Sequence, residues 1–215
     1  MSVPEIAPSE GTLHEAINLM NEEQEDKALD LVNQLLTAQP GNIPALHAKA
    51  CILSELEKNE EAIRTCEKIR KMVDPAVYSN EEYGIPCGFV HMIESKSHLD
   101  LENDEQAMEC IQTAIKINKI APYLFVRAMV HIERSDLKNA AKDIVFVFSY
   151  PYEGKTMDNS ANEIGEIFKA LYSGVQEALA EKNQESVEIP LTNLNSHAYL
   201  FLQGYYSFSN VEHQL

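Results

Sequence analysis

Residues 140–164 read AAKDIVFVFSYPYEGKTMDNSANEI (Ala140 to Ile164), and the fold turns on what they form. In one reading Ile144 to Phe148 are a β-strand that runs into a phosphate-binding Gly-Lys-Thr loop and then a helix, as in a nucleotide hydrolase. In the other they are the last turns of a helix in a repeat array, and Gly154-Lys155-Thr156 is incidental. A phosphate loop of the form G-x-x-x-x-G-K-[ST] needs a glycine five residues before Gly154, and Ser149 stands there. The local pattern fails, so the rest of the chain decides.

Internal periodicity is the first thing to look for, because a missed repeat misassigns the whole fold. Alanines that follow a polar turn recur at Ala28, Ala62, Ala107 and Ala140, separated by 34, 45 and 33 residues. Twelve residues before each stands another small side chain: Ala16, Ala50, Ser95 and Ala128. Pro40, Pro75 and Pro151 follow three of the four units, where a helix must stop. Four units therefore align at a period near 34, with about eleven additional residues between the second and third, in the stretch 73–88.

Each unit reads as two helices. Leu13, Ala16, Ile17, Leu19 and Met20 share one helical stripe, and Ala28, Leu29, Leu31, Val32, Leu35 and Leu36 form the next. The small residues mark where two helix axes approach closely, since a larger side chain would push them apart. In this register Ile144, Val147 and Phe148 occupy the slots of Val32, Leu35 and Leu36. The β-branched run is expected to be helical, its propensity overridden by packing.

The small–apolar first helix, the polar turn, the alanine opening the second helix and the closing proline resemble the tetratricopeptide repeat (TPR) family, over Ser9 to Tyr152. The slots that the family fills with an aromatic early in the first helix hold Thr12, Leu46, His91 and Leu124. Its tyrosine slot holds Leu19, Leu53, His98 and His131. The resemblance implies an all-α, right-handed solenoid of four helix-turn-helix repeats. It also implies that the first helices line a concave groove. The groove residues would be Leu13, Ile17 and Met20, then His47, Cys51 and Ser54, then Met92, Lys96 and Leu99, and finally Phe125, Met129 and Ile132. Three of these four sets are apolar and carry methionine, which suits adaptable binding of apolar helices or extended peptides. The alternative is that the stripe is extra core, packed against the 73–88 insertion. Some family members hold a partner's C-terminal carboxylate with Lys and Asn; Leu13 and Ile17 stand at the corresponding first-repeat positions, so no acidic-tail clamp is expected.

The charge narrows the partners. With 34 acidic against 17 basic residues the net charge is −17, which repels nucleic acid and anionic membranes and steers basic partners inward. "MSVPEIAPSEG" has neither a basic cluster nor an apolar core, and no run approaches the roughly 18 apolar residues of a membrane span. Cys51, Cys66, Cys87 and Cys110 form no C-x-x-C pair, which fits reduced thiols in the cytoplasm or nucleus. His91, Glu94 and His98 share a helical face, yet no zinc-binding spacing surrounds them, and no catalytic signature appears. No metal or cofactor is expected, and no enzyme activity.

The organisation expected is a flexible N-terminus (1–8), four repeats (9–152) with the insertion at 73–88, a capping helix (153–183), and a linker with an aromatic docking tail (184–215). Ile164, Ile167, Phe168, Leu171, Val175 and Leu179 form the capping stripe, and repeat arrays need such an end with a polar outer face. Tyr199, Phe201, Tyr205, Tyr206 and Phe208 concentrate five aromatics in ten residues, which do not stay in water. The expected function is an adaptor or chaperone-like module holding an apolar protein segment, with basic flanks on that segment favoured by the charge. The alternative is a self-associating scaffold subunit, a homodimer made through the tail.

Overall fold

The computed structural model describes residues 8–149, together with Ser173, Glu177 and Ala180. Eight helices make up the described array: α1 (Pro8–Asn21), α2 (Glu25–Ala38), α3 (Ile43–Glu55), α4 (Asn59–Met72), α5 (Phe89–Asp100), α6 (Asp104–Ile117), α7 (Ala121–Glu133) and α8 (Leu137–Ser149). The decisive stretch is helical through Ser149, so the strand-and-loop reading of Ile144 to Phe148 does not hold. Each helix packs on its neighbours in sequence, and the first helices of successive hairpins, α1, α3, α5 and α7, also touch one another. This is the connectivity of a helical solenoid.

All eight small residues of the two repeat series, from Ala16 and Ala28 to Ala128 and Ala140, are fully buried. In the third hairpin the two series meet directly: Ser95 Oγ donates to the carbonyl of Ala107 at 2.8 Å. Axes this close leave no room for a longer side chain.

The turns inside the hairpins repeat as strictly as the alanines. Glu23, Glu57, Glu102 and Ser135 all have φ between 56° and 58°, in the left-handed region, at the 34-, 45- and 33-residue spacing of the alanines. Each residue that follows donates its amide to a carbonyl five positions back: Gln24 to Leu19, Lys58 to Leu53, Asn103 to His98 and Asp136 to His131, at 2.8–2.9 Å. These are Schellman closures, which satisfy the orphan carbonyls of a helix end. The second helices then open with acidic pairs, Glu25–Asp26, Glu60–Glu61 and Asp104–Glu105, where the helix dipole favours negative charge.

The insertion is a loop between α4 and α5 that folds back onto the array. Tyr83 and Ile85 are buried, in the same apolar cluster as Leu13, and the Tyr83 ring lies 5.4 Å from that of His14 on α1. Gly88 ends the loop and caps α5 with φ of 85°. A Cβ there would meet the carbonyl oxygen of Ala114 at 3.2 Å, so both the conformation and the approach to α6 require glycine. The chain's capping stripe and aromatic tail lie outside the described residues. Ser173, Glu177 and Ala180 are helical and exposed, at spacings of four and three.

Candidate functional site: the concave groove

Residues from all four first helices meet around a cavity of about 320 Å³. Ile17 and Met20 come from α1, Cys51 and Ser54 from α3, Met92 and Lys96 from α5, all of them positions expected in the groove. Phe89, Ile93 and Val126 complete the apolar floor, and Asn21, Glu23, Glu25 and Glu55 the rim. Ile93 and Val126 share the repeat slot two residues before the small position, a slot the sequence reading left out; following it would have found both. Glu23 is the left-handed residue of the first hairpin's turn and Glu25 opens α2, where the helix dipole favours its charge.

Not every expected residue is in this cavity. Leu13 and His47 are each 2% exposed and belong to the core. His47 lies in the crevice beneath the insertion: its ring is stacked on Tyr78, 5.7 Å between centroids, and tilted against Phe89 at 5.8 Å. For this part of the stripe, packing against the insertion is the arrangement the structure has. Leu99, Phe125, Met129 and Ile132 are half-buried and stand outside the cavity lining. The tail residues Tyr199, Phe201, Tyr205, Tyr206 and Phe208, and Gly154-Lys155-Thr156, lie outside the described residues.

The electrostatics separate floor from rim. Burial pushes the Cys51 thiol up to about 12, with Glu55 adding to the effect. It is therefore a neutral, weakly nucleophilic part of the floor. Burial likewise raises Cys110 to about 12 and Cys66 well above its ordinary value. At the rim the Lys96 ammonium lies 2.5 Å from Glu55, which leaves Glu23 and Glu25 as net negative charge.

Glu94, 2% exposed behind the groove, is held by Arg70 and by His91 Nδ1, each at 2.9 Å. A buried carboxylate needs such pairing, and it accounts for the His91–Glu94 pair noted in the sequence. Among the described residues no group of three or more His, Cys, Asp or Glu side chains is placed to hold a metal ion. Nor is any described helix long and apolar enough to cross a membrane.

A second cavity, about 370 Å³, lies between α7 and α8 and is lined by Lys119, Arg127, His131, Lys142 and Asp143 among others. Its guanidinium is already committed. Arg127 Nε and Nη2 donate to the two oxygens of Asp143 at 2.7 and 2.5 Å.

Four stacked hairpins with an apolar cavity along their first helices define a helical-repeat solenoid. Residues 43–69, which span α3 and most of α4, match the tetratricopeptide repeat family model. The match covers one repeat of the array, the second hairpin. The chain's fold is similar to that of a thermophilic TPR protein of Thermus thermophilus, at 16% identity and a TM-score of 0.60, over 90% of this chain and 99% of that one. It is also similar to MamA, at 14% identity and a TM-score of 0.54, over 88% of this chain and 92% of that one. No curated protein sequence matches the chain at a significant level.

Proposed function

We propose that this protein is a non-catalytic interaction module, adaptor or chaperone-like, that holds an apolar helix or extended segment of another protein, with a basic flank, in the open part of its groove. The observation that carries the reading is the 320 Å³ cavity, apolar in its floor and acidic at its rim. A cavity near the small end of the roughly 300–1,000 Å³ range takes a few anchoring side chains rather than a whole folded surface. Each apolar anchor would contribute about 1.5–3 kcal/mol, offset by the cost of ordering the segment. Methionines at Met20 and Met92 let the floor adapt to anchors of different shape. Glu23 and Glu25 favour a basic residue beside the anchors and speed encounter with it. The four unpaired cysteines fit a reducing compartment, the cytoplasm or nucleus.

The test is fluorescence anisotropy with a labelled amphipathic peptide that carries leucines at helical spacing and lysines at its ends. Saturable binding that weakens with salt, and weakens again in the half-buried Met20→Ser variant, is expected. Equal affinity for a peptide with glutamates in place of the lysines would remove the acidic rim from the account. Binding unaffected by Met20→Ser would place the site elsewhere.

A further inference from the structure

The insertion sits on the array in the way a bound peptide would. Among the described residues its backbone hydrogen bonds lie largely within the loop: Val77 and Tyr78 donate to Asp74, Asn80 and Ile85 exchange a reciprocal pair at 2.8 Å, and Gly84 donates to Glu81. Asp74 Oδ1 and Asn80 Oδ1 brace the turns by accepting from the amides of Ala76 and Tyr83. The amide of Gly88 reaches the carbonyl of Pro75 at 2.8 Å, so the loop leaves and returns at one point. Compact surface loops whose ends lie this close together are Ω-loops, which are frequently functional. The array is met chiefly through side chains. Tyr83 lies against His14, Tyr78 is stacked on His47, and Tyr123 Oη donates to the carbonyl of Cys87 at 3.0 Å. The outer side is solvated, with Val77 at 75% exposed and Glu81 and Glu82 exposed beside it.

We propose that residues 74–88 are a tethered ligand, and that the surface they cover, from His14 on α1 to His47 on α3, is a second peptide site that accepts in trans a compact turn bearing two aromatic side chains. The occupant's chemistry is read from the loop itself, where Tyr78 and Tyr83 provide the ring contacts and Ile85 is buried behind them. A tethered segment competes at an effective concentration of about a millimolar, so a free peptide enters only when the loop is out or when it binds much more tightly. The loop thereby keeps half the groove closed to weak partners. This site is distinct from the open cavity, and its probe is a different peptide.

The experiment uses a labelled peptide of residues 74–88 with serine in place of Cys87, and a full-length variant in which 76–87 are replaced by Gly-Ser-Gly. The short bridge suffices because Pro75 and Gly88 are already hydrogen-bonded. The peptide should bind the variant saturably and bind the intact protein about tenfold or more weakly, because the tethered loop occupies the site. A peptide with alanine at both tyrosines should lose about tenfold or more in affinity for the variant. A folded variant that ignores the peptide, or binds the alanine peptide equally well, overturns the proposal. Should the variant fail to fold, hydrogen exchange on the intact protein decides. Amides of Val77, Tyr78, Asn80 and Ile85 exchanging well before those of α3 and α5 supports a loop that opens by itself; exchange only with global unfolding overturns it.

Discussion

The imidazole of His47 is stacked on the phenol ring of Tyr78, their centroids 5.7 Å apart and their planes within 5° of parallel. His47 is 2% exposed, and neither of its ring nitrogens has a hydrogen-bond partner among the described residues. The crevice around it is lined by Ile69 and Val73 of the α4 end, Pro75, Tyr78, Pro86 and Gly88 of the insertion, and Phe89 and Val90 of α5. Tyr78 is the only other titratable side chain in that lining, so no counter-charge there compensates a proton on the ring.

Burial therefore pushes His47 down from 6.5 to about 4. Above pH 6.5 the ring is neutral in folded and unfolded chains alike, and the shift has no effect. Between 6.5 and about 4 the unfolded chain takes up a proton that the folded one refuses, so stability falls as the pH falls. The loss levels off below about 4, after a total of about 3 kcal/mol. Urea unfolding at about pH 7.5 and about pH 4.5 should show this decline in the wild type and a smaller one in His47→Phe, whose ring carries no proton. Identical pH dependence in the two proteins would place the titration elsewhere.

Glu57 stands at φ of 56°, a conformation that costs an L-residue with a Cβ more than it costs glycine. Glu57→Gly should stabilise by about 0.5–1 kcal/mol, and the β-branched Glu57→Val should destabilise by a comparable amount. Thermal melts of the pair check the turn geometry. A glycine variant that melts lower would mean that the turn does not pass through the left-handed region in solution.

Ala62 and Ala107 are fully buried between helices. Ala62→Leu or Ala107→Leu should destabilise by about 1–3 kcal/mol, because the added methylenes force the hairpin apart. Lys58→Ala, at an exposed turn position, should change stability by less than about 0.5 kcal/mol. Chemical denaturation of the three variants tests the register, since equal effects would contradict it.

Arg127 and Asp143 tie α7 to α8 through two hydrogen bonds, with Asp143 9% and Arg127 26% exposed at the side chain. Asp143→Ala leaves the guanidinium half-buried without its acceptor, at a cost of about 2–3 kcal/mol. The double variant with Arg127→Met should recover part of that loss, since removing both charges is cheaper than stranding one. A double-variant cycle with no coupling would show that the pair contributes nothing.

The helical hairpins were legible because their signals are local and periodic. Ala16 with Ala28 and Ser95 with Ala107 recur at one spacing, and axes can approach this closely only over small side chains. The same register identified Ile144 to Phe148 as helix against its β propensity. The family resemblance pointed to Ile17, Met20, Cys51, Met92 and Lys96, and these five line the cavity. The left-handed residues Glu23, Glu57 and Glu102 were not legible. Glutamate carries no preference for that conformation, and only closure of the hairpin imposes it.

The sequence by itself determined the repeat register, the hairpin pairing and the acidic turns. All of these follow from spacings within a few turns of helix. Only the tertiary structure decided how much of the groove is open. Leu13 and Ile17 are equivalent as sequence, one helical turn apart on one stripe, and both are buried. Yet Ile17 lines the cavity while Leu13 lies in a cluster shared with Tyr83 and Ile85. His47 and Cys51 divide in the same way, the first beneath Tyr78 and the second on the cavity floor. The difference is made by a loop whose contacts reach from α5 back to α1, and periodicity carries no information about contacts between residues so far apart in the chain.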